Sequence, residues 1–372
     1  MNKPLFFLMS LFILSSIQAD EVTLSQYDNE TQQALLDMVG RSDQEQVKPT
    51  PKNKKLDLSD YSKEMQAVLL NMAGENQAYL SVQRSEKSSI AIDYHKGIIH
   101  ITGADQASFK KLITQTVLTQ YDPGEIDPKT AAAFGLVSKN DKPFFYKQIL
   151  DQDKKPINSQ WRADRYAQYL LQHSTIDSTQ QYVTHIQLTS NHTKIESVRY
   201  YNIVAAASRR YNIPISLIYG VIETESAFNP RARSGSNAIG LMQILRRQAG
   251  HEYFRVIKKR DTIPSERFLF NTHNNIEVGT AYLHIVGSRY LKGIRNETVR
   301  DYAIIASYNG GAGNLYKSMT WGGGKKAAIK KLNNMTPKEA YWFITNKHNR
   351  KETQNYLKRV TRNQQKYLHL DR

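Results

Sequence analysis

No cysteine occurs in the 372 residues. Disulfides, cysteine nucleophiles and thiolate metal sites are therefore excluded. Acid is in deficit: 34 Asp and Glu stand against 51 Lys and Arg, a formal charge of +17. Such an excess attracts polyanions. Beyond the N-terminus there is no apolar run long enough to span a bilayer. Histidine ligand spacing of the kind that marks a zinc site is also lacking.

The N-terminus reads as a targeting segment. Asn2-Lys3 supplies a short positive start, Leu5 to Ile17 is apolar, and Ala19 precedes polar sequence from Asp20. That is the shape of a cleavable signal peptide over 1–19, too short for a spanning helix. Ile17 is bulkier than the usual residue at its place, so export is better defined than the cut itself. Asp20 stands where a bacterial lipoprotein would carry its lipidated cysteine, so no stable membrane anchor is expected. The expected place is the periplasm, peripheral to the wall or the outer membrane. Removing 1–19 deletes only Lys3 among the charges and leaves +16. Behind a signal peptide, the anionic cell wall is a better partner for that charge than nucleic acid.

Residues 20–78 form a lead-in with an internal duplication. Leu24-Ser25-Gln26-Tyr27 through Gly40 resembles Leu58-Ser59-Asp60-Tyr61 through Gly74, with a Pro/Lys linker around Pro49 and Pro51 between them. Two copies are too few for a solenoid, and short docking helices are expected. Residues 79–190 read as a small α+β domain. Ile90, Ile92 and Tyr94 alternate with polar residues, His95-Lys96-Gly97 makes a turn, and 98–102 returns, which predicts a hairpin. Helical spacing follows over 107–118 and 161–171. Strands are predicted over 144–150 and 182–188. From about Lys194 the pattern becomes helical, with Asn, Gly and Pro as punctuation.

The chemistry lies in this helical part, 191–372. Pro214 suits a first helical turn, with Asn212 as its cap. Leu217, Ile218, Val221 and Ile222 then mark one apolar face. The next position on that face is Glu225. Partial burial and the negative end of a helix both raise the pKa of a carboxyl there, as a general acid requires. Glu223 lies two residues earlier, about 200° around the helix, and is expected to point to solvent. A helix-end carboxylate bonded to a nearby Arg is the plainer alternative.

Further motifs follow in order. Glu225-Ser226-Ala227-Phe228-Asn229-Pro230 precedes Gly240-Leu241-Met242-Gln243. Asn275-Ile276-Glu277-Val278-Gly279-Thr280-Ala281-Tyr282-Leu283 comes next, then Ser307-Tyr308-Asn309-Gly310-Gly311, and finally Glu352-Thr353-Gln354-Asn355-Tyr356. Glycine permits close backbone approach, so Gly240 is expected to let a helix start pack near the glutamate, and Gly310-Gly311 to turn the chain at a helix end. Met242 offers an adaptable apolar contact and Gln243 an amide that can both donate and accept. Glu352 and Tyr356, one turn apart, share a face. Asn275, Gly279 and Tyr282 are expected to be structural.

The series resembles the family 1 lytic transglycosylases, peptidoglycan-cleaving enzymes with a goose-type lysozyme-like helical fold. With the hairpin at 90–102 and the segment 143–157, the resemblance extends over roughly 60–370 to a membrane-bound branch of that family. Members of that branch are lipoproteins, which this chain departs from, as it does in the duplicated lead-in. The implied fold is an α+β N-terminal domain followed by an all-α lysozyme-like catalytic domain. The resemblance implies Glu225 as the single catalytic acid/base and peptidoglycan glycan strands as substrate. It implies binding roles for Ser226, Gly240, Met242, Gln243, Tyr308, Asn309, Glu352 and Tyr356, and neither cofactor nor metal. The implied reaction cleaves the bond between N-acetylmuramic acid and N-acetylglucosamine and leaves a 1,6-anhydromuramoyl end. Ordinary glycosidases use two carboxylates. A true lysozyme on the same fold, a wall-binding protein with a retired site and a nucleic-acid binder are the alternatives.

Overall fold

The computed structural model describes residues 80–85, 88–120, 122–123, 142–320, 322 and 324–371, all within one compact unit. The signal peptide and the duplicated lead-in lie outside the described residues.

Alternating apolar residues build an antiparallel sheet of five strands in the order β1-β2-β3-β5-β4. The strands are β1 (Leu80–Ser85), β2 (Ser88–Asp93), β3 (Ile98–Gly103), β4 (Thr175–Ile176) and β5 (Tyr182–Gln187). The predicted hairpin is β2–β3, with Ile92 opposite Ile99 and Ile90 opposite Ile101. Its turn needs a left-handed residue, and Gly97 supplies it at φ 64°. Asp93 Oδ1 accepts the His95 and Lys96 amides at 2.9 and 2.8 Å, which fixes the turn. Because side chains alternate across a strand, Ile90, Ile92, Ile99, Ile101 and Ile186 share one face. They form a core with Phe109, Leu112 and Ile113 of α1 (Gln106–Leu118) and with Ala163, Tyr166 and Leu170 of α2 (Gln160–Gln172).

The strand expected over 144–150 is absent; that segment is a set of turns with isolated bridges. Phe144 and Phe145 are adjacent, and a strand would send them to opposite faces. Instead the chain turns at Phe145, whose carbonyl accepts from Gln148 and Ile149, and both rings enter the same core edge to face, 4.8 Å apart.

The remaining elements are helical. They comprise α3 (His192–Tyr211), α4 (Ile215–Ser226), α5 (His251–Val256), α6 (Glu266–Phe270), α7 (Thr272–Ile285) and α8 (Glu297–Gly310). After these come α9 (Ala312–Met319), α10 (Lys325–Asn333), α11 (Pro337–Lys347) and α12 (Lys351–Gln365). They enclose a second core.

Helix α4 is buried on nearly every side, and α12 is a principal neighbour. Gly220 permits that approach, since a Cβ there would meet the Val360 carbonyl at 3.0 Å. Asn212 does not cap α4. It adopts a left-handed conformation at φ 52° and closes the C-terminus of α3, because a β-carbon beside the following Ile-Pro step leaves no room to continue the helix. The first turn of α4 is instead capped from the far end of the chain: Asp371 Oδ1 accepts the Ser216 amide at 2.8 Å.

Gly240 also departs from expectation. No helix starts there. Residues 239–244 form a tight hairpin turn closed by Ile239 and Ile244, with Gly240 at φ 73°. Its Cα sits against Asn275, and an added Cβ would lie 2.8 Å from Asn275 Cγ. Gly279 on α7 takes the Met242 side chain in the same way, with an added Cβ 2.8 Å from Met242 Cβ. Gly279→Ala should therefore overpack this contact and lower stability by about 1–3 kcal/mol. Urea denaturation of the pair checks this; an unchanged midpoint would mean that Met242 does not pack tightly over Gly279.

A candidate active site around Glu225

Glu225 lies in the last turn of α4, partly exposed at an otherwise buried helix end. Two residues later the chain must leave the helix. Ala227 does so at φ 49°, and Phe228 follows at φ 68°. Both are non-glycine residues in a left-handed conformation, which costs about 1–2 kcal/mol apiece. Packing imposes it. Phe228 is buried against Tyr200 and Tyr219, with ring centroids 6.3 and 6.1 Å away, while Ala227 packs into the core of the α+β region. The helix end carrying Glu225 is thus gripped by both cores.

The carboxyl faces α12 and α8. Tyr356 Oη donates to Glu225 Oε1 at 2.7 Å. Burial pushes the Glu225 carboxyl up to about 7, while the Tyr356 hydrogen bond and the positive charge of Arg359 pull it down and the charge of Glu352 adds to the rise. Burial also drives the hydroxyls of Tyr308 and Tyr356 far above the usual phenol value, with the nearby Glu225 charge adding to it. Both therefore remain O–H donors near neutral pH.

The motif residues divide into those that face the carboxyl and those that hold the wall behind it. Tyr308 reaches across the site and donates to the Met242 carbonyl at 2.8 Å, and its ring lies 5.6 Å from that of Tyr282. Asn309 donates from Nδ2 to Glu352 Oε1 at 3.0 Å and accepts at Oδ1 from Thr353 at 2.8 Å, which ties the end of α8 to the start of α12. Gly311 ends α8 at φ 79°, and at Gly310 an added Cβ would meet Thr353 Oγ1 at 2.6 Å. Glu352 stays exposed at the rim, paired with Arg350 at 3.0 Å.

Ser226 and Met242 are fully buried. Ser226 Oγ donates to the carbonyls of Ile222 and Leu241, at 3.1 and 2.9 Å, and so fastens the 240–243 turn to α4. Met242 fills the space over Gly279. Gln243 adopts φ 47° and donates to the carbonyls of Gly240 and Ala232, at 2.9 and 3.2 Å. Its Oε1 is buried without a hydrogen-bond partner. Asn275 staples the turn from below. Its Nδ2 donates to the carbonyls of Ile239 and Leu269, at 2.8 and 2.7 Å, and its Oδ1 accepts the Met242 amide at 2.8 Å.

Glu223 corrects the sequence reading. It is buried, not solvent-facing, with Lys366 Nζ 2.5 Å from Oε1 and Tyr367 Oη donating to Oε2 at 2.9 Å. Helix α4 has no solvent face, so a side chain turned away from the site enters the packing against the chain's C-terminal end. Arg359 went unnoticed in the sequence. It continues the series Glu352, Tyr356 at the next helical step, and that spacing was the available signal.

Residues 202–333 match the family model described as Transglycosylase SLT domain. This places the protein among the lytic transglycosylases, as the motifs suggested. Residues 66–199 match the model of the membrane-bound lytic murein transglycosylase C N-terminal domain. The membrane-bound lytic murein transglycosylase C of Yersinia enterocolitica is 39% identical over 265 residues, 70% of this chain and 73% of its own length. That of Yersinia pestis is 38% identical over 285 residues, 74% and 78% of the two lengths. The chain belongs to the membrane-bound lytic murein transglycosylase C family. Among solved structures, the 70 kDa soluble lytic transglycosylase of Escherichia coli aligns at a TM-score of 0.35 and 22% identity, over 46% of this chain and 24% of that one.

The raised Glu225 pKa makes a stability prediction. A carboxyl at 4.5 when unfolded and about 7 when folded favours the folded state fully below 4.5, and that contribution is lost as pH rises through 7. Glu225→Gln should therefore be more stable than the wild type at about pH 8, by up to roughly 3 kcal/mol, with the gap closing towards pH 4. Urea melts at both pH values measure it, and a gap independent of pH would place the ionised carboxylate in a well-solvated setting.

Proposed function

We propose that the protein is a periplasmic lytic transglycosylase that cleaves the β-1,4 bond between N-acetylmuramic acid and N-acetylglucosamine with Glu225 as its only acid/base. The observation that carries this reading is a carboxyl held near neutral pKa by burial, under a tyrosine hydroxyl, at the end of a clamped helix. In the first step the Glu225 carboxyl gives its proton to the leaving glycosidic oxygen as the bond to muramic C1 breaks. Positive charge develops at C1 and is shared by the substrate's own acetamide. The Tyr356 hydroxyl then stabilises the carboxylate, since a hydrogen bond to a charged acceptor is stronger than one to a neutral acceptor. In the second step the muramic C6 hydroxyl attacks C1 and its proton returns to Glu225. The product is a 1,6-anhydro end, no water is consumed, and the enzyme regains its starting protonation.

The remaining motif residues take two roles in this reading. Tyr308, Asn309 and Glu352 line the glycan side, and the unpaired Gln243 Oε1 is an acceptor for a substrate amide or hydroxyl. Ser226, Gly240 and Met242 act by shaping the turn behind that surface. We assign 1–19 as the signal peptide, 20–78 as the lead-in, 79–190 as an α+β brace and 191–372 as the catalytic domain. The contact of Ala227 with the α+β core supports the bracing role.

Mass spectrometry of soluble products from purified peptidoglycan tests the reaction. The processed protein should release anhydromuropeptides, and Glu225→Gln should lower that release by at least roughly a hundredfold. Reducing, water-added ends would make the enzyme a hydrolase, and tight wall binding without product would make it a scaffold. A second test uses pH. Activity needs the protonated carboxyl and should fall above about 7. Since the Tyr356 hydrogen bond pulls the Glu225 pKa down, Tyr356→Phe should move that alkaline limb upward while lowering the maximum rate. A limb that stays in place would detach it from Glu225.

A further inference from the structure

Helix α11 carries a side chain that folding does not account for. Its inner face, Ala340, Ile344 and Thr345, is buried. On the outer face Trp342 keeps 54% of its surface exposed. Beside it opens a groove of about 420 Å³, lined by Asn334, Met335, Lys338, Glu339, Trp342 and Phe343. Cations surround the aromatic pair: Lys347 Nζ lies 5.8 Å from the Trp342 ring centroid and Lys331 Nζ 4.4 Å from that of Phe343. The one acid, Glu339, is turned to its own helix start, where it accepts from the Thr336 amide and hydroxyl at 2.8 Å each. Charge is concentrated in the same stretch of sequence: residues 317–351 hold nine Lys or Arg against Glu339 alone, close to half of the chain's excess in under a tenth of its length.

We propose that this face of α11 and the end of α10 docks on an anionic phospholipid surface. Lysines at the rim match the phosphate layer, whose negative potential draws basic residues within a Debye length. The floor of Met335, Trp342 and Phe343 matches the boundary beneath, where tryptophan with its apolar body and polar N–H settles. A glycan strand fits less well. Sugar hydroxyls need placed acceptors, and the only carboxylate on the groove is engaged in the helix cap. No helix among the described residues is long and apolar enough to cross a membrane, so the contact is one of surface, not span. The docking face is independent of the reaction at Glu225.

The chain has three tryptophans, which gives a direct readout. The processed protein carrying Trp161→Phe and Trp321→Phe reports from Trp342 alone. Its emission should shift to the blue with vesicles of phosphatidylglycerol and phosphatidylethanolamine, be quenched when the chains are brominated, and stay unchanged with phosphatidylcholine. In sedimentation, Trp342→Ala should bind the anionic vesicles roughly tenfold more weakly. Trp161→Ala, which removes an even more exposed ring on α2, should bind as the wild type does. The double charge reversal Lys338→Glu, Lys347→Glu should also lose binding, with its circular dichroism unchanged. An unshifted Trp342 emission would overturn the proposal, as would equal binding by Trp342→Ala and Trp161→Ala. Loss of binding to purified sacculi in Trp342→Ala, with vesicle binding intact, would overturn it in favour of a glycan ledge.

Discussion

A carboxyl group at the end of a buried apolar helix has few stable states: it must be paired, hydrogen-bonded or protonated. For Glu225 burial outweighs the Tyr356 hydroxyl and the positive charge of Arg359, and so its pKa rests near neutral. Much of the surrounding architecture fixes the position of that carboxyl. Helix α12 brings Tyr356 to the carboxyl because Gly220 lets the backbones of the two helices come close. The turn at 240–243 stands opposite, held by Asn275 from α7, by Ser226 from α4 and by Tyr308 from α8. Three helices thus converge on one turn through side-chain to backbone hydrogen bonds. These are directional, and they fix position more sharply than apolar contact alone.

The same demand for position explains the strain after Glu225. Two successive left-handed residues without glycine are unfavourable locally, and such strain persists only where surrounding packing over-determines it. Here Phe228 is fixed in the helical core and Ala227 in the α+β core. A glycine at 227 would relax the backbone but would lose the methyl that joins the two cores. The α+β region therefore bears mechanically on the site although none of the motif residues lies within it.

Much of this was legible in the sequence where one physical rule dominates. The hairpin at 90–102 follows from strict alternation and a Gly turn, and the apolar face leading to Glu225 from helical periodicity. Elsewhere the rule was local and the outcome was tertiary. Phe144 and Phe145 read as strand by composition, yet a single core claimed both rings and forced a turn. Asn212 sits correctly for a cap but serves the helix before it. The roles of Ser226 and Met242 could not be read from spacing, because their partners are the backbone of a turn whose path depends on Asn275, 33 residues or more away along the chain.

Glu223 and Glu225 make the sharpest case. They are two residues apart on a helix with no exposed side, so both carboxyls enter the protein. Glu223 meets an ammonium group and a phenol at 2.5 and 2.9 Å. Those partners hold the C-terminal end of the chain against α4 and bond the carboxyl at both oxygens. Glu225 accepts from the Tyr356 phenol at 2.7 Å, and burial outweighs that hydrogen bond and the positive charge of Arg359 in setting its pKa. The two thus differ in what stands opposite each, Lys366 and Tyr367 in one case and Tyr356 in the other. A buried carboxyl for which the loss of water outweighs its partners retains a proton that it can give away. It follows that the C-terminal part of the chain, far from Glu225 in sequence, sets the surroundings of both glutamates.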